Sequence, residues 1–271
     1  MNKDDLIALG ILSLLALFIW LRDFNWITSL PDTLPILACF PIFIFLGAPW
    51  RWKYETTQVS PSFLQSSTIV VIFLAGIAVD LTILLTLAWT LLLWSWLSMR
   101  LETPSRQQLL KLLVFPMMAF PWISLDGQPI GWLFRLSGAW VVANIYSLLG
   151  LNALQQGTKI VVNNFPISID VACAGLNTLQ SMLIAGSALA YLYLGGKNRY
   201  WFNIALLPLL AWVANTMRVF ILTAAVLLAG PEFALGIFHT WGGWLVIVLM
   251  FTLSWLIFSC QNQHQTRGEK T

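Results

Sequence analysis

One run of 35 residues, 63–97, contains a single charged side chain, that of Asp80. About 20 helical residues cross the hydrocarbon core of a bilayer, so the run is too long for one membrane span and long enough for two. Because an unpaired carboxylate inside a membrane is costly, we expect Asp80 at the turn between the two spans. The run therefore predicts a helical hairpin that crosses a membrane twice.

The whole chain carries too few charges to cover a water-soluble globule of its size. Of its 271 residues, 59% are hydrophobic and 9% are charged, whereas soluble domains have about 25% charged residues. The fifteen tryptophans cluster near the ends of apolar runs, as in the aromatic belts of membrane proteins. The net charge of +3 is too small to indicate a nucleic-acid partner. Composition therefore predicts an integral membrane protein whose partner is the lipid bilayer.

Length and apolar patterning predict an all-α polytopic fold of about eight transmembrane helices, forming one domain over residues 1–271. Pro35 and Pro41 are expected to distort the second span, and the fifth span contains Pro116 and Pro121. The predicted spans are 6–21, 34–48, two within 63–97, 112–123, 175–194, 202–228 and 240–258.

Residues 125–172, between the fifth and sixth spans, have a different character. The stretch 131–149 has helical periodicity but carries Arg135 and Asn144, so we interpret it as a helix at the membrane interface and not as a ninth span. Two β-prone pieces, 158–162 and 167–171, flank an Asn-Asn-Phe-Pro turn sequence. The segment is therefore predicted to be a small extracytoplasmic helix plus a β-hairpin that precedes the sixth span.

The distribution of basic residues predicts the orientation. With both termini in the cytoplasm, ten lysines and arginines lie inside and three outside, as the positive-inside rule requires. A ninth span at 131–149 would move four of the ten outside and weaken this bias. We therefore expect a multi-pass protein of the inner (plasma) membrane with both termini in the cytoplasm. The inside set is Lys3, Arg51, Lys53, Arg100, Arg106, Lys111, Lys197, Arg199, Arg267 and Lys270.

Cys173 lies where the polar, strand-like segment meets the sixth span. The N-terminus of a helix lowers the pKa of a thiol and favours the reactive thiolate, which makes Cys173 a candidate nucleophile. The alternative interpretation is that Cys173 is a small, buried residue that only packs against its neighbours. Cys39 lies within a predicted span and Cys260 ends the last one, and both are interpreted as inert. No cysteine or histidine spacing suits a metal, so neither a metal nor another cofactor is predicted.

Arg218 and His239 are predicted at the same outer face as Cys173. Arg218 is the one basic residue well inside a predicted span, which makes it a functional candidate, with snorkelling to the headgroups as the alternative. Asn215 lies three residues earlier and either holds the guanidinium or packs between helices. His239 opens the last span, where an interfacial hydrogen-bonding role is the alternative to catalysis. A thiol, an imidazole and a guanidinium at one face are the groups that cysteine acyl transfer requires.

Three motifs in this order resemble the exosortase/archaeosortase family of membrane transpeptidases. They are Ala172-Cys173-Ala174-Gly175-Leu176, then Asn215-Thr216-Met217-Arg218, and then His239. Each motif is short, and their joint order and shared membrane face make the resemblance specific. In the size of the chain and in its Ala-Cys-x-Gly-Leu-Asn motif, the sequence is most similar to the cyanobacterial exosortases. One departure is Ala174, because many members carry serine there and a hydroxyl donor beside the thiol is missing.

The resemblance implies a substrate and a mechanism. The substrates would be secreted proteins with a C-terminal signal made of a Pro-Glu-Pro-type motif, a transmembrane helix and a basic tail. Cys173 would attack the peptide carbonyl and form a thioester, within a catalytic core over residues 170–245. Arg218 and His239 would share proton donation and oxyanion stabilisation, and their division stays open. The acyl group would pass to an amine, on a lipid or a glycan, or to water.

Two other functions fit a small polytopic membrane protein. A transporter would use Arg218 as an anion site, although the sequence lacks the repeated halves that many transporters have. A non-catalytic assembly factor for an envelope polymer pathway would need none of the three residues. A rhomboid-like serine protease is disfavoured because no Gly-x-Ser-x-Gly occurs.

Overall fold

The computed structural model describes residues 3–27, 30–53, 62–168, 174–196, 199–230, 232 and 237–268, with the backbone alone for residues 3–4, 30–32, 237–244, 247 and 264–268. The chain divides into two compact units, Met1–Asp126 and Gly127–Thr271. The division coincides with the change in sequence character near residue 125. The assignment of residues 1–271 to a single domain stays a prediction.

The first unit is built of apolar helices. The hairpin predicted from residues 63–97 is confirmed, with Asp80 in the three-residue connection between its two helices. Asp80 has a φ of 61°, a left-handed conformation that aspartate tolerates better than most residues. Its carboxylate pairs with the guanidinium of Arg22. The helices are α1 (Lys3–Leu21), α2 (Leu30–Gly47), α3 (Phe63–Ala78), α4 (Thr82–Arg100), α5 (Thr103–Leu112), α6 (Val114–Met118) and α7 (Trp122–Asp126).

The predicted fifth span, 112–123, is wrong as one continuous helix. The chain from Thr103 to Asp126 forms the three short helices α5, α6 and α7 instead. Proline lacks a backbone N–H and clashes with the preceding turn, so Pro116 and Pro121 interrupt regular helix here. The broken stretch still runs antiparallel to α4. Ser105 accepts from the backbone N–H of Arg51, which lies in a segment that pairs with the end of α4, and Asp126 accepts from Ile83 at the beginning of α4.

The charged side chains of the first unit gather at the two ends of its helices. At one end the guanidinium of Arg100 pairs with Asp5, and Lys53 Nζ donates to the carbonyl of Met99 at 3.1 Å. At the other end Arg22 pairs with Asp80, and both side chains line a cavity of about 240 Å³. Apolar helices with charged side chains at both ends are expected for a protein that crosses a bilayer.

In its described residues, the second unit combines four helices with one small sheet. A β-hairpin is present as predicted: β2 and β3 pair antiparallel, with Val162 opposite Phe165. The predicted four-residue turn 163–166 is wrong, because Phe165 and Pro166 belong to β3. Residues 169–171 of the predicted second strand lie outside the described residues. Asn163 and Asn164 form the two-residue turn with φ values of 48° and 67°, as the asparagines favour. The strand β1 was not predicted. The elements are α8 (Gln128–Leu148), β1 (Ala153–Gln156), β2 (Lys159–Val162), β3 (Phe165–Ser168), α9 (Leu176–Leu194), α10 (Tyr200–Ala229) and α11 (Ile237–Gly268).

The helices α9, α10 and α11 form the core of the second unit. Gly186 in the middle of α9 packs on Leu207 near the start of α10, and Gly175 before the first residue of α9 packs on Asn215 further along α10, so the two helices are antiparallel neighbours. The Nδ2 of Asn203 on α10 donates to Gln261 Oε1 near the end of α11 at 2.9 Å. The helix α11 is therefore antiparallel to α10 and runs in the same direction as α9.

Membrane crossing is supported most directly for two helices. Within the described ranges, Thr82–Arg100 and Tyr200–Ala229 are long and apolar enough to span a bilayer, and three shorter apolar helices accompany them. The fold is thus mostly helical with a three-stranded sheet. The number of eight spans and the interfacial position of α8 stay predictions.

Candidate functional site

The start of α9 is built on Gly175. Its φ of 80° is a left-handed conformation that residues with a Cβ adopt at a cost. A Cβ placed on Gly175 would lie 2.6 Å from Cγ of Asn215 on α10, well inside van der Waals contact. Both the backbone conformation and the close approach of the two helices therefore require glycine two residues after Cys173. Cys173 itself lies outside the described residues.

Helix α8 holds the same segment from another side. Ala174 is buried, and a Cβ placed on Gly131 of α8 would lie 3.0 Å from the Cβ of Ala174. The helix α8 is joined to α10 by Trp212 Nε1, which donates to Ser137 Oγ at 2.8 Å. Ala174, the residue after Cys173, thus packs against α8, and Gly175 packs against α10.

The β-sheet adds a third support for this end of the unit. The hydroxyl of Tyr146 on α8 donates to the carbonyl of Phe220 on α10 at 2.9 Å. Ile160 and Val162 of β2 are fully buried in the same cluster as Tyr146 and Val219. The strand β3 ends at Ser168 at the edge of this sheet. The sheet and α8 therefore form one packed body with the second half of α10.

Asn215 packs between helices and does not hold the guanidinium of Arg218. Its side chain is 1% exposed. Neither Nδ2 nor Oδ1 has a hydrogen-bond partner among the groups that the structure describes. The amide is instead pressed against Gly175. Of the two interpretations that the sequence left open for Asn215, the structure supports interhelical packing.

Arg218 lies on α10 one turn beyond Asn215, and its side chain is half-buried. Residues three apart on a helix have Cβ atoms about 5–6 Å apart. The Cβ of Arg218 is therefore close to the contact between Gly175 and Asn215. Arg218 is eleven residues, about 16 Å, from the end of α10. Arg218 therefore lies well within α10, and its predicted place in the outer half of a membrane span stays a prediction.

His239 belongs to the first turn of α11, which begins at Ile237. The Nε1 of Trp255 on α11 donates to the hydroxyl of Tyr193 on α9 at 2.8 Å, which aligns these two helices. His239 lies sixteen residues before Trp255, and Asn177 lies sixteen residues before Tyr193, a distance of about 24 Å in each helix. The backbone of His239 is therefore at about the height of the first turn of α9. Its side chain lies outside the described residues.

The two remaining cysteines lie on α2 of the first unit and near the end of α11 of the second. Cys39 is fully buried in α2, and its Sγ donates to the carbonyl of Pro35 at 3.2 Å. Cys260 is an exposed free thiol near the end of α11. Within the described part of the chain, no group of histidine, cysteine, aspartate and glutamate side chains could hold a metal ion.

A family model described as transmembrane exosortase (Exosortase_EpsH) matches residues 9–256. The chain belongs to the exosortase family. Comparison with curated proteins and with solved structures gave no match. The exosortase family consists of transmembrane proteins that process C-terminal sorting signals of secreted proteins, with cysteine-type transpeptidase activity. The finer resemblance to cyanobacterial exosortases stays a prediction.

The exosortase sequence motifs did not reveal the part that Gly131 plays. It lies far from Cys173 in the sequence, and the chain contains seventeen glycines. A signal was nevertheless present, because glycine inside a helix is unfavourable and its small size allows close packing. Gly131 and Gly138 on α8 both face α10 or the start of α9.

Replacing Gly131 by alanine is expected to lower signal cleavage by about tenfold, since small displacements at a reacting centre reduce rates strongly. The new Cβ would push Ala174, with which it would be 3.0 Å apart. Gly138→Ala is the matched control on the same helix, because its Cβ would meet Thr216 Oγ1 at an ordinary 3.5 Å. Cleavage rates of both variants in membranes, normalised to protein amount, test this. Equal rates for the two variants would contradict it.

Proposed function

We propose that this exosortase is a membrane-embedded cysteine protease and transpeptidase with Cys173 as its nucleophile. The proposal is supported by the geometry of one end of the α9–α10–α11 bundle. Gly175 at the start of α9 contacts Asn215 one turn before Arg218. The first turn of α11, which contains His239, is at about the same height. Two peptide units separate Cys173 from Gly175, which limits their Cα atoms to about 7–8 Å apart.

The proposed reaction begins with attack of the Cys173 thiolate on the carbonyl carbon of a peptide bond in the sorting signal. The Sγ–C bond forms as the π electrons of the carbonyl move to oxygen. When that electron pair returns, the C–N bond breaks, and the leaving nitrogen takes a proton. The product is a thioester. An amine or water then attacks the same carbon and gives up a proton, and the C–Sγ bond breaks to release the thiolate. No oxidant, metal or other cofactor enters these steps.

The roles of Arg218 and His239 follow from their ordinary chemistry. An imidazole with a pKa near neutrality both gives and takes a proton at physiological pH, so we assign proton donation to His239. A guanidinium stays charged, and we assign it to stabilisation of the oxyanion. The helix N-terminus at α9 adds partial positive charge beside the thiol and favours the thiolate.

The proposed substrates are secreted proteins with a Pro-Glu-Pro-type motif, a transmembrane helix and a basic tail at the C-terminus. The basic tail would remain in the cytoplasm with both termini of the enzyme, and cleavage would occur at the extracytoplasmic face of the plasma membrane. The acceptor is an amine of the cell envelope or water. The thioester chemistry allows either, because both attack an acyl carbon.

Cys173→Ala and Cys173→Ser are expected to abolish cleavage, because neither side chain supplies a thiolate. Each variant is co-expressed with a secreted reporter that carries such a signal, and the fraction of processed reporter is measured by its size. Cys39→Ala and Cys260→Ser are the matched controls and should process the reporter normally. Normal processing by both Cys173 variants would refute the proposed function. A thioester between Cys173 and the reporter, trapped by acid and released by hydroxylamine, would support it.

A further inference from the structure

Asn215 on α10 has a buried amide whose two polar atoms are both without a partner among the described residues. It is 1% exposed, and its Nδ2 and Oδ1 have no hydrogen-bond partner in the described ranges of the chain. Buried amides are nearly always hydrogen-bonded, and leaving one unsatisfied is unfavourable for folding. A buried amide that makes no hydrogen bond does not help to stabilise the helix bundle, which leaves room for another function.

A second buried asparagine on the same helix provides the contrast. Asn203 is fully buried, and its Nδ2 donates to the carbonyl of Arg199 at 2.8 Å and to Gln261 Oε1 at 2.9 Å. These bonds join α10 to α11, so Asn203 has a structural role. Asn215 forms no such bond and is in contact with the backbone of Gly175. The two asparagines lie twelve residues, about 18 Å, apart along α10.

We propose that Asn215 is a catalytic residue whose Nδ2–H donates a hydrogen bond to the oxyanion of the acyl-transfer reaction. This inference rests on the proposed function of Cys173. The amide adjoins Gly175, two residues after the nucleophile, and lies one turn before Arg218. Ala174, directly after the nucleophile, has no hydroxyl to serve as this donor. The positive end of the α9 dipole lies at the same place.

The donor acts at the moment when charge appears on the oxygen. As Sγ bonds to the carbonyl carbon, the π electrons move to oxygen, and Asn215 Nδ2–H stabilises the resulting negative charge. When the C–N bond breaks, the charge leaves the oxygen and the hydrogen bond weakens. Asn215 neither gains nor loses a proton. A neutral amide packed against Gly175 is suited to this task, because it donates a hydrogen bond without taking part in proton transfer.

Asn215→Leu and Asn215→Asp test the donor, because both keep the approximate shape of the side chain and remove the N–H. They are made in the full-length protein with Cys39→Ala and Cys260→Ser, so that iodoacetamide reports on Cys173 alone. Three quantities are measured in lipid nanodiscs: single-turnover cleavage of a Pro-Glu-Pro-type signal peptide, the rate of alkylation of Cys173, and Tm. Alkylation is a displacement at carbon that forms no oxyanion. Its rate therefore reports on the reactivity of the Cys173 thiol and does not depend on the oxyanion donor.

Both Asn215 variants are expected to lose cleavage by about 100-fold or more, as removal of an oxyanion donor does in other acyl-transfer enzymes. The alkylation rate should not change. The Tm of Asn215→Leu should not fall, because an apolar side chain replaces an unsatisfied buried amide. Asn203→Leu is the matched control: it should lower Tm and leave the cleavage rate of the folded protein near that of the parent.

Three results would overturn the inference. Normal cleavage by Asn215→Leu would show that no essential donor was removed. A parallel fall of alkylation, Tm and cleavage would assign Asn215 a structural role at the start of α9. Failure of Asn215→Leu to fold would have the same meaning, since the donor hypothesis predicts no loss of stability. If Cys173→Ala is inactive while Asn215→Leu is normal, only this inference fails and the proposed function stands.

Discussion

Replacing Gly175 by alanine is expected to abolish cleavage of the sorting signal. The substitution forces a residue with a Cβ to keep a φ of 80°, at a cost of about 1–2 kcal/mol. It also places that Cβ 2.6 Å from Cγ of Asn215, a distance that neither helix tolerates without moving. Because Cys173 is two residues away, the displacement reaches the nucleophile. The cleavage rate should fall by at least about 100-fold.

The chain contains a control that separates the two effects at Gly175. Gly150 has nearly the same conformation, with a φ of 84°, and a Cβ placed there would meet nothing within 4 Å. Gly150→Ala should therefore lower Tm by the backbone cost alone and keep its cleavage activity. Loss of activity in both variants, or in neither, would contradict the assignment of Gly175 to the site. Rates are measured per folded protein, with Tm recorded for each variant.

Replacing Arg218 by lysine is expected to lower the cleavage rate by about 100-fold or more, although the positive charge is kept. A guanidinium presents a rigid, planar set of N–H donors, whereas an ammonium is a compact charge on a flexible chain. Arg218 is half-buried on α10 one turn beyond Asn215, where the geometry of its donors matters. Arg218→Ala should be at least as severe. Single-turnover rates with a saturating signal peptide test this.

Arg135 is the matched control for Arg218. It is another half-buried arginine of the second unit, located on α8, and no catalytic role is assigned to it. Arg135→Lys should cleave the signal at nearly the parental rate. If Arg218→Lys and Arg135→Lys have the same activity, Arg218 has no specific part in the reaction. Solute flux that depends on Arg218 but not on Cys173 would favour a transporter instead.

Most helices could be predicted because their patterns are local. Asp80 was expected at a hairpin turn on the grounds of charge, and it lies there. The Asn163-Asn164 turn was likewise readable, because asparagine favours the left-handed conformation that the turn needs. The fifth span was misjudged, because apolarity suggested one helix where Pro116 and Pro121 break it into pieces.

The strand β1 could not be predicted because its residues, Ala153–Gln156, have no strong preference for extended structure. It forms by pairing with β2, which packs on α8. The role of Asn215 was open for a similar reason. Whether it bonds Arg218 or touches another helix depends on how closely α9 approaches α10, and that distance is set by Gly175.

The sequence by itself determined the membrane class, the family and the three candidate residues Cys173, Arg218 and His239, because composition, local periodicity and motif order are properties of the linear chain. Only the tertiary structure decided that Gly131 and Asn215 converge on the two residues that follow Cys173. Contacts between helices depend on their crossing and spacing, which many distant residues set together. The role of a small residue at such a contact depends on which neighbouring group its size allows to approach.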